Sequence, residues 1–200
     1  MKKQLLGITL LGAGAALPLA AQADAMNYID GYYVPSADVD FGPADDDGDG
    51  YGVKGRAQFA DQLFFSGEYQ QNEYDDSDLE FTQLRAGVGF MAPINADASW
   101  LARAEFINAE LEAPGAGSDD ESGFGVHVGA EAALTPRFIV DGSIGYLSID
   151  DTDGPEFRFG GRFLVGPQFS IFADYRLTQL EDGDAETDFD DIRVGVGFMF

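Results

Sequence analysis

Apolar side chains recur at every second position along most of the chain, and this period of two is the sequence feature that most restricts its fold. The clearest case is the phrase LRAGVGFM at residues 84–91, which returns as IRVGVGFM at residues 192–199. A β-strand points successive side chains to opposite faces, so both copies predict a strand with one apolar face and one polar or small face. A helix would place Arg85 and Val88 on the same face and mix their polarity.

The same alternation appears in seven other segments and, less regularly, in residues 28–34, which predicts about ten strands, with eight or twelve also compatible. Short turns such as residues 60–62 alternate with longer segments that we expect to be loops. These longer segments are residues 36–49, 72–80, 110–121, 150–156 and 181–191, and they hold 27 of the 36 acidic residues and no Lys or Arg. The layout is typical of an all-β, closed, up-and-down antiparallel transmembrane barrel.

The mid-strand charges indicate which way the apolar face points. Charged residues of both signs fall on the polar parity, and in a barrel they would meet inside a narrow lumen as a network of ion pairs. In lipid every backbone N–H and C=O must be paired, so an apolar-out sheet has to close on itself. The predicted lumen network comprises Lys54, Arg56, Glu68, Arg85, Arg103, Glu105, Glu131, Asp141, Arg158, Arg162, Asp174, Arg176 and Arg193.

The N-terminal segment is predicted to be a signal peptide over residues 1–23, followed by an outer-membrane β-barrel domain over residues 24–200. The segment begins with the basic MKKQ, continues with an apolar stretch and ends in Ala21, Gln22 and Ala23, a small-x-small cleavage pattern. The chain has no cysteine, so no disulfide framework is expected. The predicted location is the bacterial outer membrane.

The charge of the chain restricts its partners. A net charge of −25 argues against nucleic acid, because phosphate binding requires clustered cations. The chain is expected to be a monomer. Its expected surroundings are outer-membrane lipid and lipopolysaccharide. The C-terminal residues Val196, Phe198 and Phe200 share one parity and resemble the signal by which barrel assembly machinery recognises its substrates.

Two groups of residues suggest a metal-binding or catalytic function in addition to the barrel fold. Asp45, Asp47 and Asp49 precede a glycine as in a calcium loop, but the twelfth position is Arg56, where an EF-hand needs a bidentate Glu. Weak Ca²⁺ association of the acidic segments is therefore expected, and no other cofactor. The single histidine, His127, has the same parity as Glu131, and a neighbouring strand carries Asp141 and Ser143, so a hydrolase grouping stays a remote alternative.

Three segments carry a family resemblance: YIDGYYV at residues 28–34, GYGVKG at residues 50–55 and FFSGEYQQ at residues 64–71. They resemble a family of small proteobacterial outer-membrane β-barrel proteins whose members were first discussed as secreted activators of plant immunity. The resemblance implies fold and location without a catalytic residue. We therefore expect a non-enzymatic barrel with a structural or surface-interaction role, with a narrow passive channel, or small porin, as the alternative.

Overall fold

The computed structural model describes residues 27–41, 45–115, 117–183 and 185–200, which form ten β-strands and the turns between them. The predicted signal peptide, residues 1–23, lies outside the described residues. No helix in the described part of the chain is long and apolar enough to cross a membrane. The strands are β1 (Tyr28–Asp40), β2 (Asp45–Ala60), β3 (Leu63–Tyr74), β4 (Glu80–Pro93), β5 (Ala98–Ala113), β6 (Gly117–Thr135), β7 (Phe138–Ile149), β8 (Thr152–Leu164), β9 (Phe169–Asp182) and β10 (Ala185–Met199).

All ten strands pair antiparallel with their sequence neighbours, and the first and last strands pair with each other. Tyr28 of β1 lies opposite Arg56 of β2 on one side and opposite Met199 of β10 on the other. The sheet therefore closes and has no free edge, as a sheet surrounded by lipid must. The predicted closed, antiparallel, ten-stranded barrel is confirmed.

The two ends of the barrel differ. One end, here called the terminal end, holds Tyr28, Met199 and the connections β2–β3, β4–β5, β6–β7 and β8–β9. The other end, here called the acidic end, holds the hairpins β1–β2, β3–β4, β5–β6, β7–β8 and β9–β10. The prediction of long loops at this end is wrong, because cross-strand pairing carries the strands through most of the acidic segments and overrides the low strand propensity of Asp and Gly. The β7–β8 connection, for example, consists only of Asp150 and Asp151.

The irregular alternation of the first strand has a local cause. Burial alternates up to Val34 and resumes, shifted by one residue, at Ala37 and Val39. The register against both neighbouring strands shifts at the same place, around Pro35. Proline has no N–H to donate to a ladder and is tolerated at bulges, so it marks the position where β1 changes parity.

The outward face of the barrel is apolar. Side chains such as Phe124, Val126 and Phe159 are more than half exposed, the inverse of a water-soluble protein. Tyr33 and Tyr51, paired on β1 and β2, face outward toward the acidic end. Exposed aromatic residues also follow the terminal end, as in the interfacial girdles of membrane barrels. They include Phe59, Trp100, Phe138, Phe163, Phe169 and Phe198.

Candidate functional site: the ion-paired lumen

Glycines on the inward face leave room for large side chains of the neighbouring strands. Gly89 lies opposite Phe64, and a Cβ added to Gly89 would lie 2.1 Å from Cζ of that ring. Gly195 lies opposite Phe172, and a Cβ there would lie 2.7 Å from Cε1 of the ring. Each copy of the repeated phrase therefore contains a glycine beneath an inward-facing phenylalanine, the sixth residue of the first copy and the fourth of the second.

Glu68 of β3 is the centre of the lumen network. Its Oε1 accepts hydrogen bonds from Arg176 at 2.9 Å and Arg193 at 2.8 Å, and its Oε2 accepts one from Arg158 at 2.8 Å. The Tyr32 hydroxyl donates to the same carboxylate at 3.2 Å. Arg158 lies on β8, five strands from β3 in the ten-stranded order, so this ion pair joins opposite walls of the barrel.

A second set of ion pairs surrounds Arg85 of β4. Its guanidinium donates to both oxygens of Glu156 on β8, at 3.0 and 2.6 Å, and to Glu105 on β5 at 3.0 Å. Glu105 also lies 2.9 Å from Nε of Arg103 and from Nε2 of His127. Glu156 is fully buried, and its two parallel bonds to one guanidinium form a strong and geometrically specific pair.

Toward the acidic end, Asp191 of β10 receives two hydrogen bonds from Arg176, at 3.0 and 2.6 Å. The side-chain amides of Gln70 and Asn72 on β3 also donate to it, each at 3.1 Å. All four side chains are buried. The carboxylate of Asp191 thus has hydrogen-bond partners for both of its oxygens, as a buried charged group requires.

Toward the terminal end, two further pairs connect distant strands. Arg162 of β8 donates to both oxygens of Asp30 on β1, at 2.9 and 2.6 Å. Arg56 of β2 donates through two nitrogens to one oxygen of Glu131 on β6, both at 3.0 Å. The Tyr28 ring lies between the two guanidiniums, 4.5 Å from that of Arg162 and 5.3 Å from that of Arg56. These cation–π contacts help to hold both guanidiniums in position.

The predicted lumen residues all lie on strands whose polar face turns inward, and every one except Asp141 forms an ion pair among the described residues. Lys54 and Arg193 share Asp174. Asp141 is exposed and lines a cavity of about 110 Å³ within the network, between the pairs at Glu68 and those of Arg56 and Arg162. The ion pairs join Lys54, Arg56, Arg85, Arg103, Arg158, Arg162, Arg176 and Arg193 to Asp30, Glu68, Glu105, Glu131, Glu156, Asp174 and Asp191.

Three acidic members of this network were missed by sequence reasoning. Glu156 and Asp191 lie in segments that were expected to be loops, and Asp30 lies in the strand of uncertain parity. The sequence does contain a signal for two of these acids. Glu156 is two residues from Arg158, and Asp191 is two residues from Arg193. Residues two apart on a strand point to the same face, so both acids share the inward face of those arginines. With Asp141 included, eight lumen carboxylates balance eight lumen cations in the described part of the chain.

The inward face changes from charged to apolar on the acidic side of the network, which sequence reasoning also missed. On β5, Ile107, Ala109 and Leu111 continue the parity of Arg103 and Glu105. Buried apolar side chains form one cluster on β1, β3 and β9 and another on β5 and β7. The first contains Tyr32, Val34, Ala37, Val39, Tyr74 and Phe172, and the second contains Ile107, Leu147 and Ile149.

Asp45, Asp47 and Asp49 do not form the curled loop that the calcium motif predicts. They lie on strand β2 with all three side chains exposed on one face. Alternate strand residues are about 7 Å apart, which spreads the three carboxylates along a line instead of around one ion. The interleaved Asp46 makes specific contacts, accepting hydrogen bonds from the backbone N–H of Asp76 and of Ser77, each at 3.0 Å. Weak association of Ca²⁺ with the acidic end stays a prediction.

One other group in the described residues has metal-ligand spacing: Glu105, His127 and Glu156, whose ligand atoms lie within 4.8 Å of one another. Both carboxylates are already bound by arginines, Glu156 by Arg85 and Glu105 by Arg85 and Arg103. A metal cation would have to displace these guanidiniums at close range, so the donor set does not fit one well.

His127 is placed beside carboxylates and not beside a nucleophile. Nε2 contacts Glu105, and Nδ1 is buried without a hydrogen-bond partner in the described structure. His127 lies opposite Gly145 on β7, whereas Ser143 lies opposite Gly129. The hydroxyl therefore lies two residues further along the sheet, and the Ser, His and acid grouping of the hydrolase alternative is not assembled.

The residues of the expected assembly signal face outward at the terminal end. Val196 and Phe200 are about 64% and 65% exposed, and Phe198 packs edge-on against Phe169 of β9. The backbone N–H of Phe200 donates to the carbonyl of Asn27 at 3.1 Å, which extends the pairing of β10 with β1. The recognition role of the three side chains stays a prediction.

A closed sheet, an apolar outer surface and a charge-balanced interior together define an integral membrane β-barrel protein. Residues 6–160 match the sequence model of the outer membrane protein beta-barrel domain, and the chain belongs to that family. Its location is accordingly the bacterial outer membrane.

Solved structures share the fold at low sequence identity. Neisserial surface protein A has 12% identity and a TM-score of 0.50, with 87% of this chain and 97% of that one covered. The outer membrane protease OmpT from Escherichia coli has 8% identity and a TM-score of 0.58, with 91% and 99% covered. No curated protein sequence matches the chain. Identities this low establish a common fold only.

Proposed function

We propose that this protein is a closed, non-enzymatic outer-membrane barrel that holds an acidic surface at the outside of the cell. The observation that carries the proposal is the cross-lumen network at Glu68, where one carboxylate binds three guanidiniums from β8, β9 and β10. Such a network fills the space through which a solute would have to pass. Outer-membrane barrels have short periplasmic turns and longer segments on the extracellular side. At the acidic end the paired strands continue past the exposed Tyr33 and Tyr51 into the acidic hairpins, so we assign the terminal end to the periplasm and the acidic end to the exterior.

The size of the barrel supports this proposal. About eight strands enclose a lumen that side chains fill, whereas 16 to 18 strands leave an aqueous channel. Ten strands with long Arg and Glu side chains fall near the filled limit. Opening the lumen would also be costly in free energy, because separating a buried ion pair leaves an uncompensated charge.

The acidic end supports a surface role for the protein. Its five hairpin segments contain 27 acidic residues and no Lys or Arg, which creates a strong negative potential. Divalent cations that accumulate there would connect the protein to the phosphates of lipopolysaccharide, which would otherwise repel it. Lipid and lipopolysaccharide are the proposed neighbours of a monomeric barrel, and barrel assembly machinery is its proposed folding partner.

Current through a planar bilayer tests the proposal against the narrow channel. Refolded wild-type protein should produce no steady single-channel current, while its boiled and unboiled forms migrate differently on a gel to show that the barrel is folded. The Glu68→Gln variant, which weakens the cross-lumen pairs, should produce brief openings, and Glu73→Gln, on the outward face of the same strand, should behave as wild type. Steady current through the wild-type protein would contradict the proposal and favour a small porin.

A further inference from the structure

A cavity of about 160 Å³ lies inside the barrel on the acidic side of the ion-pair network. Its lining includes Val39 of β1 and Phe189 of β10 and, from the opposite wall, Ala109 and Leu111 of β5. The two buried apolar clusters of the lumen flank it without merging into one core. Its floor is the polar layer that contains Arg176.

The volume and lining of this cavity indicate the size of its occupant. Protein interiors are close-packed, with few voids larger than a water molecule. An apolar cavity of roughly 150 Å³ stays dry and accepts a molecule of the size of benzene. The cavity therefore has room for one aromatic ring or a short alkyl chain.

The mouth of the cavity is acidic. Asp119 and Glu121 line it on β6, and neither makes an ion pair with a described residue. Burial, reinforced by the carboxylates of Asp150 and Asp119, raises the pKa of Glu121. The cations nearest the floor are engaged elsewhere, Arg85 with Glu156 and Arg176 with Asp191.

We propose that the cavity is a binding site for a small amphipathic cation, with one ring or short alkyl chain among the apolar side chains and an ammonium group at Glu121 and Asp119. The acidic hairpins attract cations toward the mouth and repel anions, whereas the apolar side chains of the lining select for an apolar body. This site is additional to the proposed closed barrel, because it lies on the outer side of the network and requires no passage through it.

The first test uses the wild-type protein alone, reconstituted in nanodiscs of zwitterionic lipid, with empty nanodiscs as the background. Titration calorimetry should detect saturable binding of 2-phenylethylammonium. Phenylacetate, which has the same ring and the opposite charge, should give no heat above background. Equal binding of the two, or heat that empty nanodiscs reproduce, would overturn the proposal.

Two variants separate the apolar part of the site from its charged part. Ala109→Phe fills the cavity from β5 and should abolish binding, whereas Ala104→Phe, on the outward face of the same strand, should not change it. Glu121→Gln should weaken binding about fivefold, as expected for one partly exposed ion pair, and Glu112→Gln on the outward face of β5 should leave the affinity unchanged. Folding of each variant is checked by heat-dependent gel migration. Wild-type affinity in folded Ala109→Phe would overturn the assignment of the cavity.

Discussion

Arg158 on β8 donates a hydrogen bond of 2.8 Å to Glu68 on β3, from the opposite wall of the barrel. Neighbouring strands are already joined by backbone pairing, but this contact fixes the distance between walls that share no backbone hydrogen bond. Arg176 and Arg193 converge on the same carboxylate. The stability of the closed lumen should therefore depend on Glu68 more than on any single outward-facing acid.

Replacement of Glu68 by Gln should lower the free energy of unfolding by about 3 to 5 kcal/mol, because three buried guanidiniums lose their shared counter-charge. Urea unfolding of the refolded protein, followed by the fluorescence of the single Trp100, measures the change. Glu73→Gln, on the exposed face of β3, should change the free energy by no more than about 0.5 kcal/mol. Equal effects of the two substitutions would show that the lumen pairs do not hold the barrel together.

Gly89→Ala should destabilise the barrel by about 1 to 3 kcal/mol, because the new methyl group would occupy the position of the Phe64 ring. Gly31→Ala is the matched control, since Gly31 lies on a strand and has no atom within 4 Å of an added Cβ. The same urea titration compares them. An unchanged midpoint for Gly89→Ala would mean that Phe64 has space to move and that the glycine is not required by packing.

Phe200→Ala should slow assembly in cells without weakening the assembled barrel. Its ring is exposed at the terminal end, while the hydrogen bond to Asn27 uses only its backbone. Pulse-labelled cells, sampled for the heat-modifiable form, give the assembly rate. Phe169→Ala removes another exposed ring from the same end and should assemble at the wild-type rate. If both variants are slowed equally, general apolar surface and not a C-terminal signal determines the rate.

Asp46→Ala should release the β3–β4 turn from β2, because the Asp46 carboxylate accepts the N–H groups of Asp76 and Ser77. Hydrogen exchange at these two amides should become faster, and Asp45→Ala on the same strand should leave them protected. The hydrogen bond from the Ser77 side chain, with those from the backbone, holds the pKa of Asp46 below its usual 3.8. Protection in the wild-type protein should therefore persist above pH 3.8 and be lost only as the pH falls through the depressed pKa. Loss of protection at higher pH would contradict this assignment.

The fold followed from local chemistry, because a period of two is visible without any knowledge of distant contacts. Continuous alternation around Leu84 and Ile192 predicted strands, and inward cations such as Arg85 predicted the direction of each face. The parity change at Pro35 was hidden, since a bulge shifts the pattern by one residue without a strong sequence mark. The acidic hairpins were mistaken for loops because Asp and Gly favour turns when neighbouring strands are not considered.

The partners within the lumen could not be predicted from the sequence. Glu68 and Arg158 are 90 residues apart, and their contact depends on the number of strands and on how the sheet is staggered when it closes. Parity alone determines that both side chains point inward. The apolar layer at Leu147 and Ile149 was not predicted either, although both residues share the inward parity of Asp141.

The central claim, that the ion-pair network separates the two ends of the lumen, is tested most directly by cysteine accessibility. The chain has no native cysteine, so Asp141→Cys places one thiol at an exposed inward position nearer the terminal end than Arg158, and Ser118→Cys places one at the acidic end. In oriented proteoliposomes, a membrane-impermeant maleimide added at the acidic end should label Ser118→Cys completely before it labels Asp141→Cys detectably. Addition at the terminal end should label Asp141→Cys. Equal labelling of both thiols from the acidic end would show an open lumen and contradict the account.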